Sequence, residues 1–248
     1  MQVKPIKTKK IKPNDNLFAI LDEAFPKIEE KSIIAIASKI VGICEGRIVP
    51  IENEANKDEQ KTEIAKQEAD YYLPRKYNQY GFMITINHNI MVASAGVDES
   101  NSENAFALWP KDPQKSVNEI REYLVEKHNL KHLGIILTDS KLTPLRWGVT
   151  GVSLSHSGFA ALKNYIGEPD IYGKKMHAEK ANIADSLATA AVICMGEGNE
   201  QQPLALITDI PFVAFQQRNP TDDESLKIDI QDDVYASLLM SVNWQKKQ

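Results

Sequence analysis

A short apolar run followed by an acidic, polar turn occurs twice in this chain, as MVASAGVDESN at residues 91–101 and as LGIILTDSKLTPLRWG at residues 133–148. The apolar parts, 90–95 and 133–137, are dense in β-forming residues and predict two buried strands. Asp98 and Asp139 would then lie at the strand exits, held by rigid backbone and open to a ligand. Hard divalent cations prefer such oxygen donors, so the pattern predicts a metal-dependent enzyme. Ordinary turn chemistry, in which Asp and Ser cap their own backbone, explains either acid alone.

A third polar segment favours the metal-site interpretation. It is glycine-rich and acidic, MGEGNEQQ at residues 195–202, and it lies between an alanine-rich helix and an apolar strand predicted at 203–207. Three polar loops at strand or helix ends can converge on one site. Lysines and amide or hydroxyl donors elsewhere complete a set that suits a metal-bound nucleoside triphosphate, namely Lys9, Lys10, Ser38, Lys39 and Asn101.

Composition limits the class of protein. The 248 residues, 42% hydrophobic and 25% charged, are typical of a soluble globular protein, and we expect a cytoplasmic location with no membrane partner because no apolar run approaches the roughly 20 residues of a bilayer span. The lysine-rich start, MQVKPIKTKKIK, has no apolar signal core. A net charge of −5 gives no general attraction for nucleic acid. Cys44, in a strand-like stretch, and Cys194 lack metal-ligand spacing and are expected to be small buried residues.

Hydrophobic periodicity predicts an α+β protein. Helices are expected from Pro13, from Asp112-Pro113 (N-cap and first position), over 178–191 with a stop at Gly196, and over 229–242 at the C-terminus. A strand is expected at 33–37. No repeat, linker or composition boundary divides the chain. We therefore predict one domain, 1–248, made of two interleaved α+β subdomains with mixed sheets.

Several common catalytic devices are absent from the sequence. It has no Gly-x-x-x-x-Gly-Lys-Ser/Thr loop, no Gly-x-Gly-x-x-Gly after a strand and no His-Glu-x-x-His. Ser155-His156-Ser157 does not predict a hydrolase triad, because adjacent strand residues point to opposite faces. Two alternatives to a ligase stay open on the residues alone: a metal-dependent phosphohydrolase or phosphotransferase using the same acids, and a nucleotide-sensing module without turnover.

Five sets of residues, in matching order and spacing over nearly the whole chain, resemble the coenzyme F-420-0:L-glutamate ligase family. They are Ser38-Lys39-Ile40-Val41 with Glu45-Gly46-Arg47; residues 95–101; Thr138-Asp139-Ser140 with Arg146; Asp170-Ile171-Tyr172-Gly173 ahead of Ala184-Asp185; and Met195-Gly196-Glu197. The fuller runs at 143–148 and 195–204 are most similar to a bacterial branch described as folate-metabolism γ-glutamate ligases.

The resemblance implies ligation of L-glutamate onto a small carboxylate acceptor, F-420-0-like or folate-like, through an acyl phosphate. It further implies GTP (or ATP) as co-substrate, two divalent cations (Mg or Mn), and a homodimer of intertwined α+β subdomains. By position, Asp98 and Asp139 would hold one metal, and Ser140 and Glu197 the second. The implied nucleotide-binding residues are Thr8, Lys9, Lys10, Ile11, Ser38, Lys39, Asn101, Met195, Gly196, Glu197, Gly198, Asn199, Glu200, Gln201 and Gln202.

Two residues are candidates for catalytic roles. His88, in a turn where the family also has histidine, is the candidate base for the glutamate ammonium, although a histidine between strands is also often structural. Arg146, with Lys39, is suited to a carboxylate of glutamate or acceptor, or equally to a structural acid. Ile43 departs from the family, which has a nucleotide-contacting lysine at this position.

Overall fold

A five-stranded mixed sheet forms the centre of the protein in the computed structural model, which describes residues 1–224 and 226–247. In chain order the strands are β1 (Gln2–Ile6), β2 (Ser32–Ala37), β3 (Ile48–Pro50), β4 (Tyr71–Leu73), β5 (Ile84–Asn87), β6 (Ile90–Ala93), β7 (Ala105–Ala107), β8 (Leu133–Leu142), β9 (Val149–Ser157), β10 (Leu162–Asn164), β11 (Lys180–Asn182), β12 (Leu204–Thr208) and β13 (Gln245–Lys246). The α-helices are α1 (Leu17–Ala24), α2 (Ser38–Cys44), α3 (Lys57–Glu68), α4 (Pro113–His128), α5 (Ile183–Met195) and α6 (Ala236–Leu239).

The central sheet has the order β1-β12-β2-β8-β9, with β2 and β8 parallel and the other neighbours antiparallel. Alternation along β2 divides its side chains between two cores. Ile34 and Ile36 pack under α1, α2 and α4, whereas Ile33 and Ala35 pack under α5. Helices on both faces explain why β2 is apolar from Ile33 to Ala37. Gly151 of β9 allows α5 to approach closely, since a Cβ there would lie 2.6 Å from the Ala188 carbonyl oxygen.

A second unit is made of β3 to β7 and α3, together with β13. It contains a sheet of order β13-β4-β5-β6 and the antiparallel pair β3–β7, over a core that includes Ala65, Met83 and Phe106. Val92 of β6 packs instead into the core under α4, so the second unit lies directly against the central sheet. The α+β class with mixed sheets is confirmed.

Local signals located two helices well. Asp112 caps α4 by accepting the Lys115 amide, with proline at the first position. Helix α5 ends at Gly196, which has a φ of 85°. It begins later than predicted, because residues 180–182 pair with β10 and Asn182 then caps the helix. Similarly, the first helix begins at Leu17 rather than at Pro13, because Asn16 provides its cap.

Other predictions were wrong. The helix expected over 229–242 is reduced to α6, because Asp229 and Asp233 accept the amides of Gln231 and Tyr235 and form turns instead. Asp139 lies within β8, opposite Val152, because β8 continues as a hairpin with β9. Cys44 ends helix α2, and Cys194 is exposed.

Of the helices that the structure describes, none is both long and apolar enough to cross a membrane.

Candidate functional site

Lys39 joins the two units at the candidate site. It lies in the first turn of α2, directly after β2, and its Nζ is 2.5 Å from Asp98 Oδ2. The same ammonium donates to the carbonyl oxygen and the hydroxyl of Ser100, at 3.1 and 3.0 Å. Asp98 is held in turn by a backbone bridge to Ala107 and by the amide and hydroxyl of Ser100, at 2.9 and 2.7 Å. One cation from the central unit is therefore paired with one carboxylate from the second unit.

Asp139 faces a small cavity, which is also lined by Lys39, Asp98 and Trp109. The Ser140 amide donates to Asp139 Oδ1 at 2.8 Å, and the indole N–H of Trp109 donates to Oδ2. Both carboxylates predicted to share a metal thus open on one cavity, although Asp98 belongs to the second unit and Asp139 to the central sheet.

Glu197 completes the acidic cluster from the loop after α5. Its carboxylate lies near the Ser140 side chain and interacts electrostatically with Lys39 and Asp98. All four residues predicted as metal ligands, Asp98, Asp139, Ser140 and Glu197, therefore lie in one neighbourhood around the Lys39 ammonium.

The three carboxyl groups are held in different electrostatic states. Burial raises the pKa of Asp139 to about 6, opposed by its Ser140 and Trp109 donors. Burial acts in the same direction on Asp98, but Lys39 and Ser100 outweigh it and hold the pKa of that carboxyl below its usual value. Partial desolvation raises the pKa of Glu197, although the nearby Ser140 side chain acts in the opposite direction. One ammonium among three carboxylates leaves excess negative charge, which a divalent cation would neutralise.

The donor chemistry fits hard cations: carboxylate and hydroxyl oxygens, with no sulfur or imidazole among them. In the part of the chain that the structure describes, no three Asp, Glu, His or Cys side chains converge as a ready-made ion cage. The predicted sites have only two protein ligands for each ion: two carboxylates for one ion, and a carboxylate with a hydroxyl for the other. Mg²⁺ in particular is commonly bound by one or two carboxylates together with substrate phosphates.

The predicted nucleotide segments adjoin this cluster. The Thr8 amide donates to the Gln201 carbonyl at 3.2 Å, and the Gln201 side chain donates back to the Thr8 carbonyl at 2.5 Å. Asn101 donates to the Gly198 carbonyl at 3.2 Å, next to the Ser100 that binds Lys39. The N-terminal segment, the loop at 195–202 and the turn at 98–101 are thus brought together.

Individual members of the predicted nucleotide set differ in exposure. The exposed residues are Lys9, Lys10, Asn101, Glu197, Gly198, Asn199, Glu200 and Gln201. Glu200 accepts the Gly198 amide at 2.8 Å. Gln202 is half-buried, Ser38 is buried and lines the cavity, and Ile11 packs against the core under α1. Met195 is the last residue of α5, and its side chain packs in the core beneath that helix. Ile43 is buried one turn after Lys39 and does not line the cavity.

The two proposed catalytic residues lie outside the acidic cavity. His88 occupies the β5–β6 turn with a φ of 49°, and its ring centroid is 6.2 Å from that of Trp109, which lies between it and Asp139. Burial lowers the pKa of His88. Arg146 is exposed at the tip of the β8–β9 hairpin, beside Leu145 and Trp147, which are 99% and 92% exposed. The structure does not bring either side chain to the carboxylates.

Trp109 and Ser100 are site residues that the sequence interpretation missed. Ser100 carried a usable signal, since a serine two residues after an aspartate commonly bonds to it in a turn. Trp109 carried none, because its approach to Asp139 depends on tertiary packing 30 residues away in sequence.

Sequence comparison assigns this fold and its acidic cluster to a known family. The family model described as F420-0:Gamma-glutamyl ligase matches residues 5–209, and the chain belongs to that family. Among its relatives, the chain is 33% identical to a "Coenzyme F420:L-glutamate ligase" of Methanococcus maripaludis (strain S2 / LL), covering 79% of this chain and 83% of the relative. It is 32% identical to the protein of that name in Methanocaldococcus jannaschii (75% and 79% covered) and 29% identical to that of Methanopyrus kandleri (83% and 86%).

Proposed function

We propose that this protein is a nucleoside triphosphate-dependent γ-glutamyl ligase that adds L-glutamate to a small carboxylate acceptor. Family membership and the names of the relatives support the ligation of glutamate. The observation that carries the proposal is the meeting of Lys39, Asp98, Asp139 and Glu197 from two structural units, beside the segments expected to bind nucleotide.

The proposed reaction has two steps. An oxygen of the acceptor carboxylate attacks the γ-phosphorus, the bond to the nucleoside diphosphate breaks, and an acyl phosphate forms. The amine of glutamate, after losing a proton, then attacks the acyl carbon; the C–N bond forms and phosphate leaves with the carboxylate oxygen. Positioning and charge stabilisation dominate such phosphoryl transfer, so no side chain has to act as a covalent nucleophile.

Cationic and anionic side chains of the site have different proposed roles. Lys39 is the cationic side chain in the cavity, and its flexible ammonium with three donors suits a phosphate oxygen. Asp98 and Asp139 would hold one Mg or Mn ion, and Ser140 and Glu197 the second. When bound, these ions supply neutralisation of the phosphate charge. The bonds from Ser100 and Ser140 orient Asp98 and Asp139 in advance.

The finer assignments are GTP as preferred nucleotide, an F-420-0-like or folate-like acceptor, and a homodimer. The exposed apolar side chains of Leu145 and Trp147 at the hairpin tip support an association surface, because large apolar groups rarely project into solvent together without a partner. His88 does not contact the cavity, so a base for the glutamate ammonium is not assigned to it.

The decisive assay combines the protein with GTP or ATP, Mn²⁺ or Mg²⁺, L-glutamate, and either F-420-0 or folates, and detects glutamate addition by mass spectrometry. We expect one of these acceptors to gain glutamate, and Asp139→Asn to abolish the gain. Phosphate release that ignores glutamate would instead indicate the phosphohydrolase. Nucleotide binding without turnover would indicate the sensing module.

A further inference from the structure

Trp109 is a buried aromatic residue whose one polar atom is used at the site. Only 3% of its surface is exposed, and its indole N–H donates to Asp139 Oδ2. The backbone of Trp109 is itself fixed, because the Arg47 guanidinium donates to its carbonyl oxygen at 3.0 Å and itself pairs with Glu68. The side chain therefore has little freedom to leave the carboxylate.

Gly96 makes this arrangement possible. A Cβ at this position would overlap the Trp109 indole at Nε1 and Cε2, so a residue with a side chain would push the ring away from Asp139. Gly96 also has a φ of 78°, a conformation that glycine adopts without strain. The short turn before Asp98 therefore places the Asp98 carboxylate at the cavity and leaves room for the Trp109 indole, which binds the Asp139 carboxylate.

Asp139 receives one donor on each oxygen. The Ser140 amide binds Oδ1 and the indole binds Oδ2, which fixes the plane of the carboxylate while leaving acceptor capacity, since an ionised carboxylate has about four lone-pair sites. Asp139 lines the cavity that also contains Asp98 and Lys39. The side chain is therefore held in one orientation with part of its acceptor capacity available to the cavity.

We propose that Trp109 is a positioning residue, which sets the orientation of the Asp139 carboxylate for a divalent cation. The inference rests on the metal site of the proposed function and adds to it a residue that contacts neither cation nor substrate. Outer-shell hydrogen bonds to metal-binding carboxylates typically change metal affinity by roughly 10- to 100-fold when they are removed.

The test measures Mn²⁺ affinity by calorimetry, without nucleotide or turnover. Trp109→Phe keeps an aromatic ring and removes the N–H, and we expect it to weaken Mn²⁺ binding by about 10-fold or more. Trp244→Phe is the matched control, since that indole also donates a hydrogen bond, to the Leu239 carbonyl at 2.7 Å, but in the C-terminal segment. It should leave the affinity unchanged. Trp109→His returns an N–H donor, and we expect it to recover part of the loss.

An optical measurement tests the contact directly. In a chain carrying Trp147→Phe and Trp244→Phe, emission comes from Trp109, and we expect Mn²⁺ to quench it in a saturable manner. Asp139→Asn in that background should abolish the response. If Trp109→Phe binds Mn²⁺ as tightly as the wild-type chain, the positioning role is overturned while the metal site stands. If the wild-type chain binds no Mn²⁺ either alone or in the presence of GTP, both are overturned.

Discussion

His156 should make the protein less stable in mild acid. The side chain is 4% exposed, and its ring packs edge-on against Phe159 with 5.3 Å between the ring centroids. Its Nε2 has no hydrogen-bond partner among the described residues. Burial lowers the pKa of His156 to about 4, because the charged imidazolium would lose its hydration. The folded protein therefore keeps this ring neutral where the unfolded chain protonates it.

The sign and size of the effect follow from linkage. Between the folded pKa of about 4 and the ordinary value of 6.5, the unfolded chain binds more protons at this residue, so the free energy of unfolding decreases as the pH falls. The contribution is fully retained above pH 6.5. At one pKa unit per 1.36 kcal/mol, about 2.5 kcal/mol is lost by roughly pH 4.5. Asp139, with its raised pKa, acts in the opposite direction, because the native state then binds the extra proton.

The measurement must therefore be a difference between two proteins. Urea unfolding is measured for the wild-type chain and for His156→Leu, at pH 7.5 and at pH 4.5. The difference between the two proteins cancels the contributions of Asp139 and of every other shared group to the pH dependence of the free energy of unfolding. We expect the variant to gain about 2.5 kcal/mol relative to the wild type on acidification. His177→Leu, the loss of an exposed histidine, should show no such gain. A pH-independent difference between wild type and His156→Leu would refute the argument.

Three further predictions follow from packing and charge. Gly151→Val should destabilise the protein by about 1 to 3 kcal/mol in thermal or urea unfolding, because its side chain would collide with the α5 backbone; stability equal to the wild type would show that α5 can move away. Lys39→Met should abolish glutamate addition while circular dichroism stays native, and Lys39→Arg should restore little, since a planar guanidinium does not replace the ammonium; activity in Lys39→Met would remove Lys39 from the mechanism. Burial raises the pKa of the Cys44 thiol to about 11, and Asp15 and Glu45 add to the effect. A thiol reagent at pH 8 should therefore label the exposed Cys194 first. Faster labelling of the Cys194→Ser variant than of the Cys44→Ser variant would contradict this.

Local signals in the sequence explain which parts of the fold were predictable. Helix α4 depends on Asp112 and Pro113 within its own first turn, and α5 ends at a glycine that adopts positive φ. Strand β2 is apolar because both of its faces are covered, which its composition already indicates. The two helix boundaries are set by neighbours in sequence, and the burial of β2 can be recognised from its own composition.

Long-range pairing explains what was missed. Asp139 lies within a strand because β9 extends the hairpin, and that partner cannot be recognised from β8 alone. The bond between Lys39 and Asp98 spans 59 residues in sequence, and that between Trp109 and Asp139 spans 30. The four residues predicted as metal ligands nevertheless lie in one neighbourhood of the structure. They could be named from the sequence because they were carried over by position from a family whose fold brings distant residues together. His88 and Arg146 lie away from the cavity.

The proposed function depends on activation of the acceptor carboxylate by phosphorylation, which isotope transfer can detect. F-420-0 labelled with ¹⁸O in its carboxylate is incubated with the protein, GTP, Mn²⁺ and L-glutamate, and the released phosphate is analysed by mass spectrometry. An acyl phosphate requires the carboxylate oxygen to leave with the phosphoryl group. We therefore predict one ¹⁸O atom in phosphate for each glutamate added, at full labelling of the carboxylate. Unlabelled phosphate accompanying glutamate addition would contradict the account.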